Sequence, residues 1–296
     1  MAAAVGQSGF PAGSTRLTDV RRGQCYGRLM SATDNRVIID RDGAVAHVRL
    51  NRPAKRNGLD LAMFRELAEA GVTLSADRSL RAVILSGEGP GFCAGLDWMS
   101  FLADPTASKT LLDRPEGEVA NLAQKVSWVW QEVPVPVIAA IHGFAIGGGL
   151  QIALGADLVY ASKDTELSVM EARYGLIPDM GISQSLLKRV RADIAKELTF
   201  TARRFSADEA LSLGVITRVV DDPIAAAKET ADAIAARSPH AIRAAKRLIN
   251  EAAEMDPAAS LALETELQMP LLGSPNQMEA AQAVFEKRPP VFRDPE

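Results

Sequence analysis

Residues 137–151 read Val137-Ile138-Ala139-Ala140-Ile141-His142-Gly143-Phe144-Ala145-Ile146-Gly147-Gly148-Gly149-Leu150-Gln151. Val137 to Ile141 is an unbroken apolar run, the pattern of a strand buried on both faces. Three successive glycines then open a segment whose apolar residues continue through Leu150 to Leu154, as in a helix. A buried strand that ends in glycines and passes into a helix is a building unit of α/β folds.

The same grammar repeats outward from this stretch. Ala82 to Leu85 is a second short apolar run, and it ends in Gly91-Phe92-Cys93-Ala94-Gly95-Leu96-Asp97. Upstream, Val37 to Ile39 and Val45 to Leu50 read as strands around the turn Asp42-Gly43. Residues 60–76 read as a helix with Leu61, Phe64, Leu67 and Ala68 on one face. A second helix is expected over residues 115–132, with Pro115 in its first turn. Leu158 to Tyr160 is a further strand. Beyond about Asp193 the pattern turns helical. Ser206 and Glu209 have the spacing of a capping box, and Gly214 stands where a helix stop belongs. Four more helices, over 223–237, 239–253, 257–271 and 275–287, each begin at a proline. The expected organisation is a flexible extension over 1–33, an α/β core over 34–205 and a helical region over 206–296.

Bulk properties narrow the function. The chain has 296 residues, 47% of them hydrophobic, enough to bury a sizeable core. Its 33 Lys and Arg against 37 Asp and Glu leave a net charge of −4, which argues against a dedicated nucleic-acid binder. Cys25 and Cys93 are too few for a disulfide framework or a four-cysteine zinc site. No run is long and apolar enough for a membrane span, and no secretory signal is visible. A cytoplasmic location with no membrane partner is expected. Residues 1–33 carry Arg16, Arg21, Arg22 and Arg28 against Asp19 alone. They read as a loose tail, with Met30 as an alternative start. A targeting peptide is the competing reading, but the segment lacks an amphipathic stripe.

Glycines opening a helix let a ligand approach the backbone closely, and free N–H groups there can hold an oxyanion. Removing a proton next to a thioester carbonyl creates such an anion. Losing one of two fixed donors typically costs about a hundred- to a thousandfold in rate. The run from Gly89 to Ala94 also fits a dinucleotide fingerprint, but Pro90 sits in its turn and Pro105 interrupts any following helix. The triple-glycine loop lacks the Lys-Ser/Thr of a phosphate-binding loop. The bland alternative is that the glycines only permit tight packing.

Four ordered segments resemble the enoyl-CoA hydratase/isomerase (crotonase) family. They are Asn51-Arg52-Pro53-Ala54-Lys55-Arg56-Asn57, Phe92 to Asp97, Gly143 to Gln151, and Glu171 to Gly181; the final Phe285-Glu286-Lys287-Arg288 fits as well. The resemblance covers about residues 36–296. It implies an α/β fold of the crotonase type: a spiral of ββα units with a C-terminal helical trimerisation region, assembled as a homotrimer or a hexamer of two trimers. It implies an acyl-CoA substrate and neither cofactor nor metal, with coenzyme A entering as part of the substrate. By position, the oxyanion donors are the backbone N–H groups of Leu96 and Gly148. By the same resemblance, the coenzyme A end falls to Lys55, Arg56, Ala94 and Lys287, the last reaching a neighbouring subunit's nucleotide in the family pattern.

The acid–base residues depart from the hydratase pattern. Hydratases of this type carry Glu at the positions of both Gln151 and Glu171. Gln151 can donate or accept a hydrogen bond but cannot exchange a proton near neutral pH. Asp179, eight residues beyond Glu171, resembles the spacing in dienoyl-CoA isomerases, which however carry Asp where Gln151 stands. The expected roles are Glu171 as base, Asp179 as second acid/base or orienting group, and Gln151 as a group that orients a water or the thioester. The plain alternatives are a solvated loop carboxylate for Glu171 and a helix N-cap for Asp179. Asp97 reads as the cap of a short helix, and His142 as a packing residue; His47 and His240 belong to no constellation. Met63, Trp98, Met99, Phe101, Trp128 and Trp130 are candidates to line an acyl pocket. Two further functions compete: an acyl-CoA-binding homologue with little catalysis, motivated by Gln151, and an RNA-binding homologue, which the acidic balance disfavours.

Overall fold

The computed structural model describes residues 35–295. The expected extension over 1–33, with Cys25 and its arginines, lies outside the described residues. The chain opens with the hairpin of β1 (Val37–Asp42) and β2 (Val45–Leu50), paired antiparallel around the Asp42-Gly43 turn. Gly43 there adopts a φ of 57°, which a side chain would strain. Helix α1 (Leu61–Ala76) follows, capped by Asp60, whose carboxylate accepts the Met63 N–H at 2.9 Å. Strand β3 (Ala82–Gly87) leads into two short helices, α2 (Trp98–Ala103) and α3 (Ala107–Leu112). Asp97 caps α2, as expected.

The helix expected over 115–132 begins instead at Leu122, as α4 (Leu122–Glu132). Asn121 and Gln124 form a reciprocal capping box there, which fixes the start seven residues later than Pro115 suggested. Then come β4 (Val137–Ile141), β5 (Phe144–Ile146), α5 (Gly148–Leu154), β6 (Leu158–Ser162) and β7 (Glu166–Ser168). Helices α6 (Ile182–Ser185) and α7 (Ala192–Thr201), strand β8 (Phe205–Ser206), helix α8 (Ala207–Leu213) and strand β9 (Arg218–Val220) close this part. Ser206 accepts the Glu209 N–H at 3.2 Å, but the Glu209 carboxylate turns to Arg203 at 2.7 Å. Only half of the expected capping box forms. The four proline-led helices are α9 (Pro223–Ala235), α10 (Pro239–Ala252), α11 (Pro257–Gln268) and α12 (Pro275–Glu286).

The strands sort into two sheets. The larger has the order β1-β2-β3-β4-β6-β9 and is parallel from β2 onward; the smaller has the order β5-β7-β8. Successive units therefore place a strand in the large sheet, cross a short turn, place a strand in the small sheet, and return through a helix. Bridges between Cys93 and Ala145 and between Leu59 and Leu96 extend the small layer toward the first glycine loop. The inner strands β3, β4 and β6 are mainly apolar because both faces are covered, whereas the edge strand β1 turns Asp40, Arg41 and Asp42 to solvent. Ala82, Ile84, Ile138 and Ala140 meet Ala227 and Ala231 of α9, while Val83, Leu85, Val137, Ala139 and Ile141 face the main core.

Two anchors set the helices on this frame. Helix α1 approaches α4 so closely that a Cβ on Gly71 would lie 2.4 Å from a Val129 methyl. Lys246 of α10 is buried, and its ammonium donates to Trp130 O (2.9 Å), Val135 O (3.0 Å) and Asp157 Oδ2 (2.7 Å). The same Asp157 oxygen accepts the N–H of Val137 at 2.7 Å, at the head of β4. Among the described residues, no helix is long and apolar enough to cross a membrane.

Candidate active site

The two glycine loops lie against each other. Ile146 N–H donates to Cys93 O at 3.0 Å, and Cys93 N–H to Phe144 O at 3.2 Å. Gly149 packs so tightly that a Cβ would stand 2.4 Å from Cys93 O. Gly95 has a φ of +84°, and a Cβ there would fall 2.8 Å from Ile146 O and 3.6 Å from Gly148 N. Leu96 is held through its neighbours, since Leu59 N–H donates to Gly95 O at 2.8 Å and Asp97 N–H to Leu59 O at 3.0 Å. Among the described residues, neither the Leu96 nor the Gly148 N–H makes a hydrogen bond.

The first loop is fastened from outside by the Asn51 to Asn57 segment. Arg56 and Asn57 both take left-handed backbone angles, uncommon for residues with side chains. The turn buries the Asn57 side chain, whose Nδ2 donates to Glu88 O, Gly91 O and Phe92 O, and whose Oδ1 accepts Arg52 N–H at 2.8 Å. Arg52 donates to Asp97 Oδ2 at 2.6 Å. Burial alone would push the Asp97 carboxyl up, but hydrogen bonds from Arg52 and Ser100 outweigh it and hold it at about 2. Asn57 was quoted in the sequence without a role; its buried position in a left-handed turn is visible only in the fold.

Glu171 opens a short 3-10 helix, Glu171–Tyr174, just beyond β7. Gln151 of α5 is 1% exposed, and its Nε2 donates to Glu171 Oε1 at 2.7 Å while its Oε1 accepts Met180 N–H at 2.9 Å. Both ends of this amide are thus taken by protein groups, and Gln151 orients the Glu171 carboxylate. The other carboxylate oxygen, Glu171 Oε2, is buried and has no hydrogen-bond partner among the described residues. Burial pushes the Glu171 carboxyl up, the Gln151 N–H pulls it down, and the charge of Asp179 pushes it up again. Partial burial also raises Asp179, although solvent still reaches it. Asp179 is not a helix cap: α6 starts at Ile182, with Gly181 in the capping position.

Leu96, Gly148, Glu171 and Asp179 all line one cavity of about 620 Å³. Phe64, Phe101, Leu111 and Ala123 form an apolar part of its wall. Arg56 and Ala94 line it too, joined by the bond from Ala94 N–H to Arg56 O at 3.0 Å. Lys55 and Lys287 are exposed and do not line it within this chain. Of the aromatic and Met candidates, Trp98 and Phe101 face the cavity. Met63 and Trp130 are core residues, Met99 is turned to solvent, and Trp128 is half-buried outside the lining. Arg173 and Arg204 line the cavity without having been expected, Arg204 paired with Glu166 at 2.6 Å. Their signal was only local, one Arg following Glu171 by two residues and the other preceding β8. His142 bonds Gly89 O at 2.9 Å through its Nε2, a packing contact. Among the described residues, no group of three or more His, Cys, Asp or Glu could hold a metal ion.

The sequence pattern of the enoyl-CoA hydratase/isomerase family matches residues 40–295. The chain belongs to this family. Its crotonase fold is the one the family resemblance implied, and it is an enzyme of the hydratase/isomerase type. It is 36% identical over 258 residues to the mitochondrial Delta(3,5)-Delta(2,4)-dienoyl-CoA isomerase of Rattus norvegicus, covering 82% of this chain and 77% of the rat protein. It is 34% identical to the short-chain-enoyl-CoA hydratase of Clostridium acetobutylicum, covering 86% of this chain and 96% of that one. The crystal structure of an enoyl-CoA hydratase from Bacillus anthracis superposes with a TM-score of 0.80 at 30% identity, over 87% of this chain and 98% of that one.

Proposed function

We propose that this crotonase-family enzyme shifts a double bond along an acyl-CoA thioester. The N–H groups of Leu96 and Gly148 receive the thioester oxygen. Glu171 removes the α-proton through its bare Oε2, and the charge spreads to the oxygen as an enolate. Two preorganised donors stabilise that charge without having to reorient. The proton is returned at the far end of the conjugated system, by Asp179 or by Glu171 itself. No water is consumed, and the electron pair freed at the α-carbon forms the new double bond.

The observation that carries this reading is the Gln151 amide, fixed between Glu171 and Met180. It leaves the first of the two hydratase positions without a carboxylate to activate water, while Glu171 and Asp179 face one cavity. The likeness to the rat dienoyl-CoA isomerase supports the same reading. Arg56 and Ala94 are placed to meet the coenzyme A arm. Lys55, exposed beside Arg56, is placed to meet the part of the coenzyme A arm outside the cavity, and Lys287 would reach it from a neighbouring subunit.

Purified protein incubated with 2-enoyl-, 3-enoyl- and 3,5-dienoyl-CoA tests this, with double-bond position followed by ultraviolet absorbance and NMR. Migration of the bond without 3-hydroxyacyl-CoA is the expected result. Dominant formation of the hydroxyacyl product overturns it in favour of a hydratase, and binding without turnover in favour of an acyl-CoA-binding homologue.

We also propose the homotrimer, alone or doubled into a hexamer, as the working assembly. Leu261, Met269, Leu272, Met278, Val284 and Phe285 expose apolar side chains on and around α11 and α12, a face that a second copy would cover. Light scattering of the eluting protein reads the mass directly, and a monomer at micromolar concentration would overturn this.

A further inference from the structure

The cavity is closed on one side and open on the other. Its floor is apolar and buried, with Phe64 at 2%, Leu111 at 5% and Ala123 at 3% exposure. One stretch of its rim is also apolar yet faces solvent: Leu112 is 53% exposed, Leu176 48% and Ile177 76%, while Arg56, Arg173 and the Arg204–Glu166 pair line other parts. Leu112 closes α3 on one bank, and Leu176 and Ile177 follow the Glu171 helix on the other. The two banks touch where the Trp98 and Tyr174 rings stand 5.1 Å apart. Apolar side chains on both banks of one trough cost nothing in the empty protein that water does not already impose, but they gain when an apolar ligand covers them.

A four-carbon acyl group fills on the order of 150 Å³, at roughly 30 Å³ per non-hydrogen atom as for water. It would occupy the floor and leave the rim bare. We infer that the acyl site is an open-ended trough built for long acyl chains, whose distal carbons lie along Leu112, Leu176 and Ile177. This rests on the acyl-CoA isomerase reading above and names its substrate class. The occupant follows from continuity: the rim belongs to the same cavity as Leu96, Gly148 and Glu171, so a chain held by its thioester there extends along it.

The test is kcat/KM for a series of 3-enoyl-CoA substrates of four to sixteen carbons. Full burial of a methylene is worth about fourfold and the rim is about half exposed, so a rise of about twofold per methylene is expected. A flat or falling series beyond four carbons overturns the trough. No turnover at any length instead overturns the isomerase reading itself, so the two failures are distinct. Ile177→Asp places a charge on the rim at an exposed position that the folded core does not need. It should lower the ratio of twelve-carbon to four-carbon kcat/KM by at least tenfold. An unchanged ratio in this variant would show that the distal chain lies elsewhere and reject the assignment.

Discussion

Gln151 Nε2 donates to Glu171 Oε1 at 2.7 Å, so one oxygen of the Glu171 carboxylate is fixed while the other stays bare. A neutral amide in this place gives the carboxylate an orientation without competing for its proton. A carboxylate in the same place would share that proton, because like charges at hydrogen-bond distance cannot both ionise easily.

Replacing Gln151 by Glu should therefore raise the acid limb of the pH–rate profile. It should also increase hydration of 2-enoyl-CoA relative to the parent. Both are read from initial rates across pH with product analysis. An unaltered acid limb would mean that Gln151 does not set the state of Glu171.

Glu171→Gln should lower kcat by about a hundred- to ten-thousandfold, the usual loss for a positioned base, with a smaller change in KM. The base works only when ionised, and burial raises its pKa. Activity should accordingly fall on the acid side at a pH above the ordinary carboxylate range. The stability effect has a definite sign. With the folded pKa raised, the contribution of Glu171 is present at low pH and is lost as pH rises through the folded value. Glu171→Gln should therefore melt higher than the parent at neutral pH and match it in acid, as read by thermal unfolding across pH.

Asp97 behaves in the opposite sense. Its folded carboxyl is held at about 2, so it contributes stability above the ordinary aspartate pKa and loses it as pH falls toward 2. Part of this pair is in contact with water, so Asp97→Asn should cost only about 1 kcal/mol at neutral pH. The difference should vanish near pH 2. Because Asp97 follows Leu96 directly and is tied to Arg52, kcat should fall more than substrate binding weakens. Equal stability of the two proteins at neutral pH would show that the Arg52 contact contributes little.

Gly71→Ala should destabilise the fold by about 1–3 kcal/mol, since a methyl there would stand 2.4 Å from Val129 and must push α1 from α4. Those helices carry Phe64 and Ala123 of the cavity floor, so substrate binding should weaken as well. Urea unfolding and KM report the two effects separately.

The sequence made the middle of the large sheet legible because β3, β4 and β6 are covered on both faces and read as apolar runs, as Val137 to Ile141 does. The cap at Asp97 was legible because its side chain acts within a turn of its own position. The small sheet was not, since strands such as Phe144–Ile146 and Phe205–Ser206 are too short to show an alternation. The start of α4 was misplaced because a proline was weighted above the Asn121 and Gln124 pair. Trp130 and Trp98 look alike in the sequence; only the fold shows that the first, on α4, fills the core and the second, on α2, faces the cavity. The partners of Gln151 lie 20 and 29 residues away, on other elements, beyond the reach of spacing arguments.

The ammonium of Lys246 bears on how this chain can be cut. A truncation after residue 205 would remove that cation, leaving the carbonyls of Trp130 and Val135 without their shared donor and Asp157 without its ammonium partner. It would also strip β9 from the sheet edge and α9 from the face formed by Ile84 and Ile138. The spiral expressed by itself should therefore be insoluble, and limited proteolysis should nick surface loops without releasing a stable amino-terminal fragment.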